Sequence, residues 1–262
     1  VVWGGLRGGG HGGSRRILGA HATSRVTPLA PKGGFGGIDA GSDAPMNEII
    51  LMSDPRVAAL PVLECGEALT DVRSERRLLL DLRKTDDAGA FCHVRAGVLE
   101  RLLHAQTLLP AGLRLLFVEG YRPLALQKRY FEEYADAVRA AHTDWLPGEV
   151  HAAASRYVSP PDIAPHSAGA AVDVTLADAD GRELDLGTRL NASPEESDGG
   201  CYTHAPHITG SARAHRTVLS AALIEAGLVN YPTEWWHWSY GDRYWALATG
   251  ATHAIYGPHE RV

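Results

Sequence analysis

PHSAGAAVDVTL, residues 165–176, sets a proline-led loop directly against a strand. From Ala171 the pattern has a period of two. Ala171, Asp173 and Thr175 share one face, and Val172, Val174 and Leu176 share the other. Working outward, LRLLFVEG at 113–120 is a short apolar run bounded by glycines and reads as a buried strand. LLLDLR at 78–83 reads as a further strand followed by a polar turn from Lys84 to Gly89, and EWWHWSY at 234–240 as a late one. Helical spacing of Val98, Leu102, Ala105 and Leu109 predicts a helix over 94–109, stopped by Pro110, Ala111 and Gly112. A second helix runs from Pro123 to about Ala141, with Gln127, Tyr130, Phe131, Tyr134, Ala137 and Val138 along one stripe. A third spans about 211–226 and ends at Gly227. Residues 142–165 and 178–208 read as long loops, the latter with a turn at Asp180–Gly181. Strands and helices do not alternate regularly. The expected class is therefore α+β, with a largely antiparallel central sheet flanked by helices.

At 262 residues, 45% of them hydrophobic, the chain can bury one substantial core. A net charge of −6 and the lack of a basic stripe interleaved with aromatics argue against nucleic acid as a partner. No apolar run approaches the roughly 18 residues of a membrane span. Cys65, Cys92 and Cys201 are odd in number and widely spaced, which fits a reducing compartment rather than a disulfide framework. Residues 1–45 are rich in glycine and arginine and lack both a sustained apolar period and the apolar segment of a secretory signal. They read as a disordered extension, a flexible tail or an upstream translation artefact. Met46 then opens a single domain, residues 46–262, with the cytoplasm as the default location. Nothing in the composition fixes an oligomeric state.

Three segments bring together residues suited to chemistry. His166, in the loop, and Asp173, in the strand, can reach one point through a tight turn at Gly169. Imidazole and carboxylate are ligand types that zinc accepts, although a capped turn and an arginine-paired aspartate use the same residues. In EWWHW, 234–238, Glu234 stands three residues before His237, a pairing suited to one metal ligand and one activator of water. A regular strand would put the two on opposite faces, so Glu234 belongs in the turn before the strand, where Pro232 and Thr233 favour it, or beside a bulge. The same segment also reads as a Trp-rich core strand with a surface glutamate. In EGYRP, 119–123, Arg122 marks a strand-to-helix junction. It can stabilise an oxyanion, clamp a carboxylate or tie down the junction. Two histidines and one aspartate would leave zinc a fourth position for water. His204 and His207 read as loop histidines.

VEGYRP at 118–123, HSAGAAVDVTL at 166–176, LGTRLN at 186–191 and EWWHW at 234–238 together resemble the D-alanyl-D-alanine dipeptidases of the vancomycin-resistance type. These are zinc D,D-peptidases of the hedgehog/DD-peptidase fold, and the resemblance spans roughly residues 60–257. It implies one zinc ion on His166, Asp173 and His237, with Glu234 as general base and Arg122 assisting the transition state. It also implies a narrow pocket for a small dipeptide. The chain departs from the family pattern at Ala164, at Ala168 and at Leu190–Asn191, where the family usually has Ser, Arg and Phe-Asp. Asn191 would then face the substrate ammonium without a charge. A peptidoglycan D,D- or L,D-carboxypeptidase is a competing reading, and so is a non-catalytic zinc-binding module of the same fold. The first needs an open groove. The second typically lacks the base or the arginine, and both are present here.

Overall fold

The computed structural model of the chain describes residues 49–86, 88–155 and 157–260, so the extension read at residues 1–45 lies outside them. The elements in chain order are α1 (Pro55–Ala59), β1 (Leu69–Asp71), β2 (Leu79–Leu80), β3 (His93–Arg95), α2 (Ala96–Leu108), β4 (Arg114–Glu119), α3 (Leu124–Ala141), α4 (Pro147–Ala154), β5 (Ala171–Ala177), α5 (Gly210–Glu225), β6 (Val229–Asn230), β7 (His237–Ser239) and α6 (Arg243–Thr249). Five strands form one sheet in the order β2-β4-β5-β7-β6. Only the β2–β4 pair is parallel, so the expected α+β class with a largely antiparallel sheet holds. β1 and β3 form a separate antiparallel pair. Among the described residues no helix is long and apolar enough to cross a membrane.

β5 is the middle strand, and all seven of its residues are buried. Val172, Val174 and Leu176 join Leu102 and Ala105 of α2, Leu219 and Leu223 of α5, and Trp235, Trp236 and Trp238 in the main core. Ala171, Asp173 and Thr175 face the other way, outside that apolar cluster. The alternation in AAVDVTL thus separates a packing face from a polar face that is equally buried. A buried polar face needs partners, and the partners of Asp173 make the site.

Several boundaries differ from the sequence reading. The strand expected at 78–83 shrinks to Leu79–Leu80, because Asp81 turns the chain by accepting the Arg83 N–H at 2.8 Å. The helix expected from 94 begins at Ala96, since His93–Arg95 pairs with β1. The stripe of α3 is completed by Ala135, while Ala137 is exposed. Residues 142–165 are not one loop. Pro147 sits in the first turn of α4 and Glu149 accepts the Leu146 N–H at 2.7 Å, two helix-start signals that the surrounding polar residues obscured. α3 and α4 pack on each other around Phe131, Ala135, Val150 and Ala154. The late strand is three residues, not seven, because Tyr231–Glu234 and Glu234–His237 form consecutive turns before it.

Residues 178–208 contain no helix and only one isolated bridge, Ala177 with Glu183, as expected of a long loop. Buried Arg216 of α5 holds this segment through the carbonyls of Leu186, Tyr202 and Gly200 at 2.7, 2.6 and 2.8 Å. Satisfying those carbonyls internally lets an irregular loop lie against the core.

Candidate metal centre and active site

The segment after β4 supports the site through its backbone. Gly120 donates its N–H to Phe91 O at 2.7 Å, and its carbonyl accepts from His166 Nδ1 at 2.7 Å. A carbonyl can only accept, so Nδ1 carries a proton and Nε2 is the ring nitrogen turned toward Asp173. Gly120 must be glycine, because a Cβ there would lie 2.3 Å from His93 O. Arg122 then donates its own N–H to His166 O at 3.1 Å. His166 sits in a 3-10 turn, Pro165–Ala168, closed by Gly169 at φ +66. This is the tight turn expected from the sequence, and a Cβ at Gly169 would lie 2.4 Å from Leu69 Cδ2.

Asp173 pairs across the sheet with His237 on β7 and with Glu119 on β4. Its Oδ1 lies 3.3 Å from His166 Nε2 and 3.3 Å from His237 Nδ1. The two imidazoles meet edge to face, with centroids 4.8 Å apart. One ligand atom from each of the three residues falls within 4.8 Å of the others, and all three residues are buried. Among the described residues this is the group that can hold a metal ion. The spacing is long for good hydrogen bonds, which centre near ~2.9 Å. It matches the edge of a tetrahedron, about 3.3–3.4 Å, built on the ~2.0–2.1 Å bonds that zinc makes to nitrogen and oxygen. The donor set therefore fits zinc. Burial works to raise the Asp173 carboxyl, but the two imidazoles outweigh it and hold the group well below the usual carboxylate range. Burial works to lower His237, and Asp173 reverses this and lifts it above the usual imidazole value.

Glu234 stands in the turn before β7 with Oε2 3.9 Å from His237 Nδ1, the first of the two placements open to it. Its side chain keeps 29% of its surface exposed, against 6% for His237. Loss of hydration, with Asp173 adding to it, raises its carboxyl above the ordinary value despite the nearby imidazoles. A carboxylate pushed in that direction is better suited to accept a proton near neutral pH.

Arg122 is held at three sides. Its Nε donates to Glu119 Oε1 at 2.7 Å and its Nη1 to Gln127 Oε1 at 2.7 Å, while Tyr130 lies beneath the guanidinium. Gln127 is tied in turn to Ser159 O at 2.7 Å. Nη2 takes no hydrogen bond among the described residues. The Arg122 guanidinium resists the penalty of burial because the Glu119 carboxylate stabilises its charge and raises its pKa.

The structure thus brings His166, Asp173, His237 and Glu234 together, with Arg122 joined through the backbone of His166. Among the described residues no hydrogen bond joins Asn191 to them. Asn191 lies in left-handed backbone at φ +57, and its carbonyl accepts from Arg189. His204 and His207 are exposed and outside the cluster. Sequence reading assigned Lys84, Glu119 and Gln127 no place at the site. The available signal was Glu119 itself, an acid inside the apolar run LRLLFVEG.

Residues 76–253 match the peptidase M15 family, described as D-Ala-D-Ala dipeptidase. A D-alanyl-D-alanine dipeptidase of Synechocystis sp. (strain ATCC 27184 / PCC 6803 / Kazusa) is 28% identical over 228 residues, covering 74% of this chain and 90% of that protein. A D-alanyl-D-alanine dipeptidase of Escherichia coli (strain K12) is 27% identical over 128 residues, 48% of this chain and 55% of that protein. Among solved structures, a mutant of the vancomycin resistance D,D-pentapeptidase VanY from a VanB-type cassette, in complex with Zn(II), is 15% identical with a TM-score of 0.35, covering 66% of this chain and 84% of that one. VanYB in complex with D-alanine-D-alanine is 16% identical with a TM-score of 0.36, covering 64% and 82%. The family match runs from before β2 to beyond α6 and so takes in the whole five-stranded sheet with its metal cluster: the chain belongs to the peptidase M15 family of metallopeptidases, as a homologue of the D-Ala-D-Ala dipeptidases.

Proposed function

We propose that the chain hydrolyses a free dipeptide, D-alanyl-D-alanine foremost, with one zinc ion on His166, Asp173 and His237 and with Glu234 as general base. The observation that carries this reading is Asp173 Oδ1, equidistant at 3.3 Å from two imidazole nitrogens, one of them on His237, whose Nδ1 lies 3.9 Å from the partly exposed Glu234. Zinc held there would acidify a water toward a pKa of about 7 and polarise the scissile carbonyl. Glu234 accepts the proton of the attacking water and returns it to the leaving amine. Arg122 offers Nη2 to the charge that develops on the carbonyl oxygen, while its other donors stay engaged with Glu119 and Gln127. The choice of D-Ala-D-Ala follows the family and the Synechocystis relative. The three cysteines are free, which suits a reducing compartment such as the cytoplasm.

The test has two arms. Glu234→Gln should keep zinc and fold but lose about 10²–10⁴-fold in kcat, because an amide does not accept the water's proton. Wild-type turnover by the zinc-loaded variant would remove Glu234 from the role. In the second arm, the zinc-loaded enzyme is assayed on D,D, L,D, D,L and L,L dipeptides and on a peptide ending in D-Ala-D-Ala. Release of terminal D-Ala from the longer peptide, without dipeptide cleavage, would replace the dipeptidase reading with a carboxypeptidase one.

A further inference from the structure

Lys84 is a buried charge that the mechanism above leaves without a task, and its partner is Glu119, the carboxylate that holds Arg122. Glu119 is fully buried and Lys84 is 8% exposed. Lys84 Nζ forms an ion pair with Glu119 Oε2, while Glu119 Oε1 accepts from Arg122 Nε. Two cations therefore share one carboxylate in a desolvated place. Arg122 alone would neutralise Glu119, and burying a second cation is unfavourable unless something else uses its charge. Its effect is on the sum. Glu119, paired with Arg122 alone, offsets part of the guanidinium's positive potential at a neighbouring group. With Lys84 added, the trio carries a net positive charge. It does so beside the metal cluster, because Glu119 lies directly across the β4–β5 ladder from Asp173. Lys84 comes from the turn after β2, the parallel edge neighbour of β4, and its ammonium also rests 5.5 Å from the centroid of the Phe91 ring.

We propose that Lys84 is a positioning residue for the hydrolysis: by engaging the second oxygen of Glu119, it leaves Arg122 fixed in place with its positive charge uncancelled toward the reacting carbonyl. This rests on the reading of Arg122 as the group that stabilises the oxyanion. The test is a double-mutant cycle on the zinc-loaded full chain with a dipeptide that the wild type cleaves. Lys84→Met is chosen because the Glu119–Arg122 pair it leaves is self-neutral. Zinc content and thermal unfolding are measured for every protein. Arg122→Ala should lower kcat by about 10²–10³-fold. Lys84→Met should lower kcat about tenfold with KM little changed, and should have less than about a twofold effect in the Arg122→Ala background. Unchanged kcat in Lys84→Met, or the same loss in both backgrounds, overturns the proposal. Wild-type kcat in Arg122→Ala instead overturns the reading beneath it. If Lys84→Met does not fold, Lys84→Met/Glu119→Gln removes both charges of the pair, and the new amide can still accept from Nε. Its kcat should exceed that of Arg122→Ala at least about tenfold, and equality with Arg122→Ala overturns the proposal.

Discussion

His237 offers one of the three ligand atoms of the candidate metal site, and its loss would leave His166 and Asp173 alone. Two ligands hold zinc far more weakly than three. Elemental analysis of His237→Ala should therefore show strongly reduced zinc, and full stoichiometry in that variant would sink the ligand set. Asn191 is proposed to bear on specificity, and it is not among the candidate metal ligands. It sits at φ +57, a conformation that Asn and Asp adopt with similar ease, so Asn191→Asp changes charge with little strain. If residue 191 faces the substrate ammonium, a charge-assisted bond replaces a neutral one. That contributes roughly 1 kcal/mol, or about a fivefold fall in KM for D-Ala-D-Ala. An N-acetylated dipeptide has no ammonium and should gain nothing. Equal effects on free and blocked dipeptides would show that Asn191 does not meet the amino end. His166 and Asp173 were legible as a candidate pair because a loop, a glycine turn and a strand are local features, while His237, 64 residues from Asp173, entered through the EWWHW motif and the family resemblance. Lys84 and Glu119 were not legible, because 35 residues separate them and only the pairing of β2 with β4 joins them.

At the scale of elements, long strands and periodic helices could be read, while pieces shorter than one period of the pattern could not. β4, β5, α3 and α5 lie close to their expected places, since each holds a full apolar repeat. β1, β3 and β6 have two or three residues each and exist only through their partners. β4 also carries an acid-stability device. Burial alone would raise the Glu119 carboxyl, but Arg122 and Lys84 outweigh it and hold it well below the usual carboxylate range. A depressed folded-state pKa contributes stability that is fully present above the unfolded value. That stability is lost as pH falls from there toward the folded value. The metal-free wild type should therefore lose thermal stability progressively below about pH 4.5. Lys84→Met/Glu119→Gln, with no carboxyl at this position, should show a shallower acid limb in unfolding followed from pH 7 to pH 3. Parallel limbs in the two proteins would mean that other carboxylates account for the acid transition.

On the whole molecule, the question is where the folded unit begins. Residues 1–45 offer no periodic apolar face, whereas the chain from Ile50 onward is tied into the domain. Tyr244 Oη donates to Ile50 O at 3.2 Å, and Met52 N–H donates to Tyr231 Oη at 3.1 Å. Met52, Val57, Tyr231 and Tyr244 form a buried cluster of their own. That cluster touches the site, because the Tyr231 ring stands edge-on to His237 with centroids 6.0 Å apart. Two truncations separate these roles. A chain starting at Met46 should fold, bind zinc and turn over like the full one. A chain starting at Pro55 removes Met52 and the Ile50 carbonyl, and burying a methionine side chain contributes about 1.5–3 kcal/mol. For a domain of this size each 1 kcal/mol shifts Tm by about 2–4 °C, so the shorter chain should melt roughly 3–12 °C lower. Its zinc affinity should also fall, as Tyr231 loses the partner that fixes its ring beside a ligand. Loss of folding or activity in the Met46 chain would show that the extension packs on the domain. An unchanged Tm in the Pro55 chain would show that the cluster around Tyr231 holds without its N-terminal strap.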